Sequence, residues 1–371
     1  MKLFTEEEIE SRKEFLTRLW KLKKVDRPGY MLNGFAQGQE NDPDRPPPAT
    51  TREWFMDWEI MLKSQLYEIK LRSQLKDDYI PNLFPYLGTG VLASAFGCEV
   101  IYPEVEQPWT KPLVYSPDDV YKLKEPEPTD GLLKDVLELT KFMVERTGGE
   151  IPIRMTDIQG PLDTASLIWE YSSFLTAMYT APDAVHTLLD MVTDLIIDFV
   201  PMQKELCEEF VPNHCPGVWV PDDWGISISE DLIAVVSPHL YEEFALPYNQ
   251  RLADAFNGLH IHSCGNFTFN YDNLLKIDKL RGVDMGVTET NYPQAVEKLK
   301  EKCLLIPRIG FIGLNRIVNL PSTNEYLDYV MENSDDANIF VFIDKFGENV
   351  NLERLREKYS WLGEDNSVEE E

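Results

Sequence analysis

The chain has 371 residues, enough to bury a substantial core as one large domain or as two domains of ordinary size. Its 43% apolar and 27% charged residues are typical of a globular protein. With 64 acidic against 35 basic residues the net charge is −29, which excludes nucleic acid as a general partner because phosphate binding needs a basic face. The same excess favours a neutral or cationic ligand over a polyanion, although a local pocket can oppose the overall sign.

The cysteines and the first residues indicate a cytoplasmic protein. The five cysteines are scattered and odd in number, which is typical of reduced thiols: Cys98, Cys207, Cys215, Cys264 and Cys303. The chain begins without a basic region followed by an apolar one, and no run approaches 18 uncharged apolar residues. We therefore expect neither a secretory signal nor a membrane span.

In chain order, residues 1–80 predict a helical extension packed on the main domain, with helices over 5–24 and 51–78 around a proline-rich loop at 41–48. From 81 to 360, short apolar runs alternate with helical stretches. The predicted strands cover 30–36, 82–88, 151–158, 218–220, 259–263, 283–288, 304–309 and 338–343. The acidic segment 361–371 is expected to be a disordered tail.

Eight strands separated by helices predict an α/β fold with a parallel sheet. Closed on itself, that sheet is a (β/α)8 TIM barrel carrying the N-terminal helical extension. An open doubly wound sheet is the alternative, but no Gly-x-Gly-x-x-Gly follows the first strand.

Polar residues follow several of the predicted strands, at the carboxyl ends where such barrels place their active residues. In chain order, these candidates are Asp157, Gln159, Asp222, Asp223, Trp224, His262, Cys264, Glu289 and Asp344.

The run His260-Ile-His262-Ser-Cys264-Gly265 is the sharpest of these signals. Residues i and i+2 of a strand lie on the same side, so His262 and Cys264 can project together. An imidazole and a thiolate directed at one point are suitable ligands for zinc. Gly265 then allows a sharp turn where the strand ends.

Several motifs together resemble the uroporphyrinogen decarboxylase superfamily over residues 151–354. They are Gln159-Gly160-Pro161, the 179–185 stretch, Asp222-Asp223-Trp224-Gly225, Ser237 through Tyr248, and His262-Ser263-Cys264-Gly265-Asn266. The resemblance implies the (β/α)8 barrel that the strand pattern also predicts.

Two branches of that superfamily differ in their chemistry. True uroporphyrinogen decarboxylases use no cofactor and clamp a polycarboxylate with an arginine-rich N-terminal loop, whereas the comparable segment 29–39 has no paired arginines here. The other branch contains zinc methyltransferases that work with corrinoid proteins or thiols, and this chain resembles it more closely.

The zinc branch implies a ligand set of His-x-Cys, commonly a Glu after the next strand, and a Cys at the end of the last strand. His262, Cys264 and Glu289 match the first two elements. The last strand has no Cys: Asp344 lies nearest to the expected place, and Cys303 is the other candidate, although it begins its strand at the wrong end of the barrel. Asp344, Cys303 or neither could replace the missing ligand.

The remaining candidates have both functional and structural interpretations. Asp222 and Asp223 could position the substrate and assist proton transfer, or cap a turn through backbone amides. Asp157 and Gln159 could bind substrate. Tyr86 and Trp224, together with Trp109, could form an aromatic wall for a methylammonium group, or simply belong to the core.

The leading hypothesis is a zinc-dependent methyltransferase of a corrinoid (cobalamin) system. It would transfer a methyl group between a small methylated ether, amine or thiol and a corrinoid protein that docks over the barrel mouth. The alternatives are a cofactor-independent decarboxylase and a non-catalytic binding member of the superfamily.

Overall fold

The computed structural model describes residues 3–36, 38, 42–310, 316–348 and 350–363. The predicted tail lies outside the described residues from position 364 onward. Before that point, Leu362 is buried and the Gly363 amide donates to the Tyr30 hydroxyl at 2.8 Å, so the start of the segment 361–371 packs on the fold.

Helices and strands alternate along most of the chain. The helices are α1 Glu6–Trp20, α2 Thr51–Met56, α3 Trp58–Arg72, α4 Val91–Ala95, α5 Pro117–Val120, α6 Leu132–Thr147, α7 Pro161–Ile168, α8 Tyr171–Thr180, α9 Pro182–Lys204, α10 Pro238–Phe244, α11 Leu246–Ala255, α12 Tyr271–Leu274, α13 Tyr292–Leu299, α14 Thr323–Glu332 and α15 Leu352–Lys358. The strands are β1 Gly29–Asn33, β2 Glu99–Ile101, β3 Trp109–Lys111, β4 Ile153–Arg154, β5 Phe210–Val211, β6 Ile226–Ser229, β7 Leu259–Ser263, β8 Leu280–Gly286, β9 Leu304–Arg308 and β10 Phe340–Asp344.

Parallel pairing builds the predicted (β/α)8 barrel. β6, β7, β8 and β9 form a continuous parallel sheet, a bridge from Leu305 to Ile339 leads to β10, and β10 pairs with β1. On the other side, Leu83 bridges to β4, and Gln159 beyond β4 bridges to Ser229 of β6. Because β1 closes the barrel, the predicted domain boundary at residue 80 falls after the first barrel strand.

The predicted strand at 218–220 is wrong. Those residues form no strand, and the next barrel strand is β6, whose Ile226 and Ser229 pair with Leu259 and His262 of β7. The prediction followed the apolar run Val-Trp-Val, whereas β6 is a short Ile-Ser-Ile-Ser segment buried on all four residues. Because the strand lies further along the chain than predicted, Asp222, Asp223 and Trp224 precede it instead of following it.

Helix α1 closes the amino-terminal end of the barrel. Thr5 and Glu8 form a capping box that starts the helix, and Trp20 lies at its end, only 1% exposed. The Trp20 ring stacks on His260 with centroids 4.6 Å apart, and its Nε1 donates to the Trp219 carbonyl at 2.7 Å. Helix α1 is therefore packed against the amino-terminal end of the barrel.

Among the described residues, no helix is both long enough and apolar enough to cross a membrane.

Candidate metal centre

His262 and Cys264 bring a ring nitrogen and a sulfur together at the carboxyl end of β7. His262 is buried, Cys264 is half-buried, and His262 Nε2 lies 3.7 Å from Cys264 Sγ. Two ligands of one tetrahedral zinc ion are about 3.6 Å apart when the Zn–N and Zn–S bonds measure about 2.05 and 2.3 Å. The pair therefore has the separation that a shared zinc ion requires.

The other ring nitrogen of His262 is held by a buried ion pair. Nδ1 lies 3.3 Å from Asp284 Oδ2 and 2.9 Å from Arg308 Nη2, and Arg308 Nε donates to Asp284 Oδ1 at 2.5 Å. A guanidinium only donates, so Nδ1 accepts from Arg308 Nη2 as the ring stands, and Asp284 Oδ2 has no hydrogen-bond partner among the described residues. With the proton on Nδ1 instead, Asp284 is the acceptor within reach and the lone pair of Nε2 is directed at Cys264.

Acidic neighbours of His262 favour its charged form, although the Arg308 guanidinium lies 2.9 Å from Nδ1. Burial alone would lower the pKa of His262, but the charges of Cys215 and Asp284 outweigh it and raise this pKa well above its usual value. Groups that hold a proton on an imidazole in this way also attract a divalent cation, which can take the place of the proton.

Asp231 is a further donor that sequence reasoning missed. It opens a short 3-10 helix, Asp231–Ala234, directly after β6, and its Oδ1 accepts from the Cys264 amide at 2.6 Å. A carboxylate oxygen of Asp231, a ring nitrogen of His262 and the Cys264 sulfur all lie within 4.8 Å of one another. Correct placement of the fourth barrel strand would have identified Asp231, because it follows that strand.

Two buried carboxylates lie next to Asp231. Asp163 accepts from the Asp231 amide at 2.6 Å. Glu230 accepts from the Tyr241 hydroxyl at 2.5 Å and from the Asn249 side chain at 2.8 Å, and its burial raises the pKa of Glu230 to about 7. These contacts fix the turn that presents Asp231 to Cys264.

Cys215 is the second missed donor. Its sulfur, a ring nitrogen of His262 and a carboxylate oxygen of Asp284 lie within 4.8 Å of one another. The neighbouring His214 is fixed by two hydroxyls of β6, with Nδ1 2.9 Å from Ser227 Oγ and Nε2 3.0 Å from Ser229 Oγ. No local pattern in the sequence indicates this position of Cys215, because only the tertiary structure places it beside His262.

Asp157, Gln159 and Tyr86 lie on the same side of the barrel as Cys215. Gln159 Nε2 donates to Asp157 Oδ1 at 2.6 Å, and this oxygen lies 3.9 Å from His214 Nε2. Burial raises the pKa of Tyr86, and the charges of Asp157 and Cys215 raise it further. The substrate-binding role predicted for these three residues remains a proposal.

The predicted aromatic wall is not assembled. Tyr86 stacks on Phe84 with centroids 4.9 Å apart and lies 5.4 Å from Phe55. Trp109 lies on the β2–β3 hairpin and is 49% exposed. Trp224 is far from both because it lies at the opposite end of the barrel.

The placement predicted for Asp222, Asp223 and Trp224 is wrong. They precede β6 instead of following a strand, so they lie at the amino-terminal end of the barrel, away from His262. The Asp223 carbonyl accepts from Asn257 at 2.8 Å, and Trp224 is covered by the guanidinium of Arg281 at 4.0 Å. This position does not support a catalytic role for the two aspartates, nor a substrate contact for Trp224.

The uroporphyrinogen decarboxylase (URO-D) family profile matches residues 82–306, more than half of the chain. The chain belongs to this family.

The chain is also similar to individual members. It is 28% identical over 182 residues to the methylcobamide:CoM methyltransferase MtbA of Methanosarcina acetivorans, a stretch that covers 47% of this chain and 49% of the relative. It is 25% identical over 169 residues to the uroporphyrinogen decarboxylase of Xanthomonas campestris pv. campestris, covering 44% and 43%. The chain thus spans about half the length of the curated relatives it matches.

A solved structure described as a methyltransferase from Methanosarcina mazei superposes over 93% of this chain and 96% of its own length, with a TM-score of 0.65. At 19% identity this likeness shows a shared barrel fold.

Within this URO-D family barrel, Glu289 supports the Cys264 loop. It is 2% exposed, and its Oε2 accepts from the Gly265 amide at 2.8 Å. Among the described residues, Glu289 Oε1 has no hydrogen-bond partner, and Glu289 is in neither cluster of converging donor atoms. Glu289 therefore does not stand in the position of a direct metal ligand that the sequence predicts, although its carboxylate contacts the Gly265 amide beside Cys264.

The two candidates for the missing last-strand cysteine are in neither cluster. Asp344 ends β10 and accepts from Asn33 Nδ2 at 2.9 Å, and burial raises its pKa. Cys303 lies just before β9, at the amino-terminal end of the barrel, and is 1% exposed. Within the described part of the chain, the donors that converge on His262 are instead Cys215, Asp231, Cys264 and Asp284.

Proposed function

We propose that the chain is a cytoplasmic, zinc-dependent methyltransferase of a corrinoid system. It would exchange a methyl group between a small methylated substrate or thiol and a corrinoid carried by a partner protein. Support comes from the named methyltransferase relatives and, above all, from the convergence of His262 Nε2 and Cys264 Sγ at a zinc-like separation of 3.7 Å.

The donor set fits zinc. His262 and Cys264 would supply nitrogen and sulfur. Cys215 groups with His262 and Asp284 instead of with Cys264, so it would have to move toward Cys264 to supply a second thiolate in place of a last-strand cysteine. Asp231 offers a carboxylate oxygen at the same point. When bound, zinc would supply Lewis acidity, which stabilises a thiolate or another leaving anion at neutral pH.

The protein's own groups would then orient this chemistry. Asp284 would hold the Nδ1 proton of His262 and so fix its tautomer, while Arg308 neutralises Asp284. Glu289 would hold the Gly265 amide and with it the direction of the Cys264 side chain.

The cofactor-independent decarboxylase is the weaker candidate. A polycarboxylate needs several free cations, yet Arg308 is already paired with Asp284. Arg72 is likewise engaged, with its Nε 3.2 Å from Glu68 Oε1. Arg154, which lines the same cavity as Arg72, is one further cation, and one cation does not match many acids.

Metal analysis of the purified protein tests the site. We expect about one zinc per chain in the wild type and its loss in His262→Ala and in Cys264→Ala. Cys207→Ala removes a half-buried thiol after helix α9 and should retain zinc. Equal zinc in all four proteins would overturn the proposal.

Methyl transfer is tested with methylcob(III)alamin and a small thiol. The thiolate sulfur forms a bond to the methyl carbon, the cobalt–carbon bond breaks, and cobalt keeps the electron pair as cob(I)alamin, while the thiol proton goes to solvent. We expect the absorption of methylcobalamin to decay only with zinc-loaded protein. Decarboxylation of a carboxylic acid that survives thorough chelation would instead support the decarboxylase, and zinc binding without either reaction would support a non-catalytic member.

A further inference from the structure

We infer that the substrate of the proposed methyltransferase is an uncharged molecule that is held through a hydrogen-bond-accepting oxygen. Its site is a cavity of about 440 Å³ between the β2–β3 hairpin, helix α7 and the 3-10 helix Asp231–Ala234. The inference rests on the proposed function for the reaction of this molecule, but the rejection of an anion by the cavity needs no metal.

The cavity adjoins the proposed metal donors. Asp231 lines it, and a carboxylate oxygen of Asp231 lies within 4.8 Å of donor atoms of His262 and Cys264. Gln159, which the sequence predicts as a substrate-binding residue, also lines the cavity and bridges to Ser229 at the end of β6. A ligand in this cavity therefore has one end beside the metal donors.

Two buried hydrogen-bonding groups of the lining have no partner in the protein. Among the described residues, Trp169 Nε1 and Thr110 Oγ1 make no hydrogen bond, and Trp169 is fully buried. An indole N–H can only donate, and a buried donor without an acceptor is costly. An oxygen atom of a ligand would supply the acceptor that the protein lacks.

The charges of the lining oppose an anion. Of the described residues that line the cavity, Asp163 and Asp231 carry the carboxylic acids, and none is a lysine, an arginine or a histidine. A carboxylate or sulfonate group in this cavity would therefore lose its hydration without gaining a counter-charge. This composition selects against negatively charged ligands.

An ammonium group is not favoured either. Both oxygens of Asp163 already accept backbone amides, from Asp231 at 2.6 Å and from Leu232 at 2.9 Å, and Asp231 Oδ1 accepts from the Cys264 amide at 2.6 Å. Zinc beside Asp231 would add positive charge that repels a cation. An ammonium group also has no lone pair, so it cannot accept from Trp169.

The rest of the lining is apolar and fixed in place. Pro112, Leu167 and Leu232 supply hydrocarbon surface to the cavity. The end of the hairpin is tied to helix α7, because the Leu113 amide donates to the Ile168 carbonyl at 2.8 Å. Apolar walls with a few hydrogen-bonding groups suit a small molecule that has a hydrocarbon body and a polar oxygen.

Three methyl ethers of similar shape test this assignment: uncharged 4-methoxybenzyl alcohol, anionic 4-methoxybenzoate and cationic 4-methoxybenzylamine. In zinc-depleted protein no metal can hold the carboxylate, and NMR titration should show that the alcohol binds about 10- to 100-fold more tightly than the benzoate. In zinc-loaded protein the alcohol should also bind about 10-fold more tightly than the amine. Absence of alcohol binding, or benzoate binding as tight as that of the alcohol in zinc-depleted protein, would overturn the inference.

Two conservative variants test the unpartnered groups. Trp169→Phe keeps a ring but removes the N–H, and Thr110→Val keeps the shape but removes the hydroxyl. Each should lower the affinity for the alcohol about 5- to 20-fold and leave that for the benzoate unchanged. Trp54→Phe is the matched control, at a tryptophan that lines a different cavity, and should change neither affinity. Unchanged alcohol affinity in both Trp169→Phe and Thr110→Val, or an equal loss in Trp54→Phe, would contradict the assignment.

An added cation tests the location of the site. Ser166 lines the cavity on helix α7, so Ser166→Lys should bring the affinity for the benzoate up to or above that for the alcohol in zinc-depleted protein. Thr176→Lys, at an exposed position of helix α8, is the matched control and should keep the wild-type preference. The same preference in both lysine variants would show that these ligands bind elsewhere.

Zinc content and methyl transfer separate this inference from the proposed function. If the protein holds no zinc and transfers no methyl group but still prefers the alcohol to the benzoate, the proposed function fails and the ligand selectivity of the cavity stands. If the protein binds zinc and demethylates methylcobalamin with a thiol, but does not prefer the alcohol to the benzoate in its zinc-depleted form, the inference fails and the proposed function stands.

Discussion

The two ends of strand β7 present histidines in opposite environments. His260 lies toward the amino-terminal end, where it stacks on Trp20 and lies 2.9 Å from the Trp224 carbonyl. His262, two residues further along, faces Cys264, Asp284 and a guanidinium. Strand alternation puts both on one face, so position along the barrel axis separates them.

The two histidines have opposite pKa shifts, which assigns His260 to the stability of the fold and His262 to the candidate site. Burial against an aromatic ring lowers the pKa of His260 to about 4, which keeps its imidazole neutral and apolar in character. Burial also opposes the charge on His262, but Cys215 and Asp284 raise its pKa above the usual value. The amino-terminal end is thus packed around a neutral imidazole, whereas the carboxyl-terminal end surrounds an imidazole with charged groups.

The largest expected effect is at the carboxyl-terminal end. Cys215→Ser should lower zinc affinity about 1000-fold, roughly 4 kcal/mol, because one of the proposed protein ligands is lost. In the cobalt-substituted protein, the thiolate-to-cobalt absorption should fall by about half because one of two thiolates is gone.

Asp231→Asn is the comparison for the Cys215 experiment. If the aspartate rather than the cysteine is the third donor, the ranking reverses: Asp231→Asn loses zinc, while Cys215→Ser retains both zinc and the full cobalt absorption. That outcome would contradict the assignment of Cys215 as the second thiolate ligand.

At the amino-terminal end, Trp20→Ala should cost about 3–5 kcal/mol of unfolding free energy, because it removes a fully buried aromatic side chain. Its zinc content per folded chain should not change. Trp109→Ala, at an exposed tryptophan, should change the unfolding free energy by no more than about 0.5 kcal/mol. Chemical denaturation and metal analysis measure both quantities. Loss of zinc in folded Trp20→Ala would show that the amino-terminal end of the barrel also affects metal binding.

The pH dependence of stability gives the next effect. His260 titrates near 4 when folded and near 6.5 when unfolded, so between these values the unfolded chain binds more protons. This contribution to stability is full above pH 6.5 and is lost as the pH falls to 4, a change of about 3 kcal/mol.

His260→Phe retains a ring against Trp20 and should remove that part of the pH dependence. His239→Gln, at an exposed imidazole, should leave it unchanged. Denaturant midpoints measured from pH 4 to 7 test this, and an unaltered slope in His260→Phe would show that His260 is not the titrating group.

The sequence was a better guide to strand β7 than to strand β6. Strand alternation and the apolar pattern were sufficient for the bounds of β7 and for the convergence of His262 and Cys264, since both are local properties. Asp222 and Asp223 were placed at the wrong end because Val-Trp-Val resembles a strand more than Ile-Ser-Ile-Ser does. The serines of β6 face His214, and this pairing, like the position of Cys215, depends on contacts between distant segments.

The smallest effect concerns Asp284, which contacts His262 without any need to touch the metal. Asp284→Asn should lower zinc affinity about 10- to 100-fold, because the amide accepts the Nδ1 proton less strongly and holds the imidazole less firmly. The same change leaves Arg308 without its carboxylate, so a general loss of stability must be separated from an effect on the metal. Zinc titration of the folded Asp284→Asn protein measures the effect on the metal, and denaturation of the metal-free protein measures the loss of the pairing with Arg308. An unchanged zinc affinity beside a lowered unfolding free energy would show that Asp284 serves stability alone.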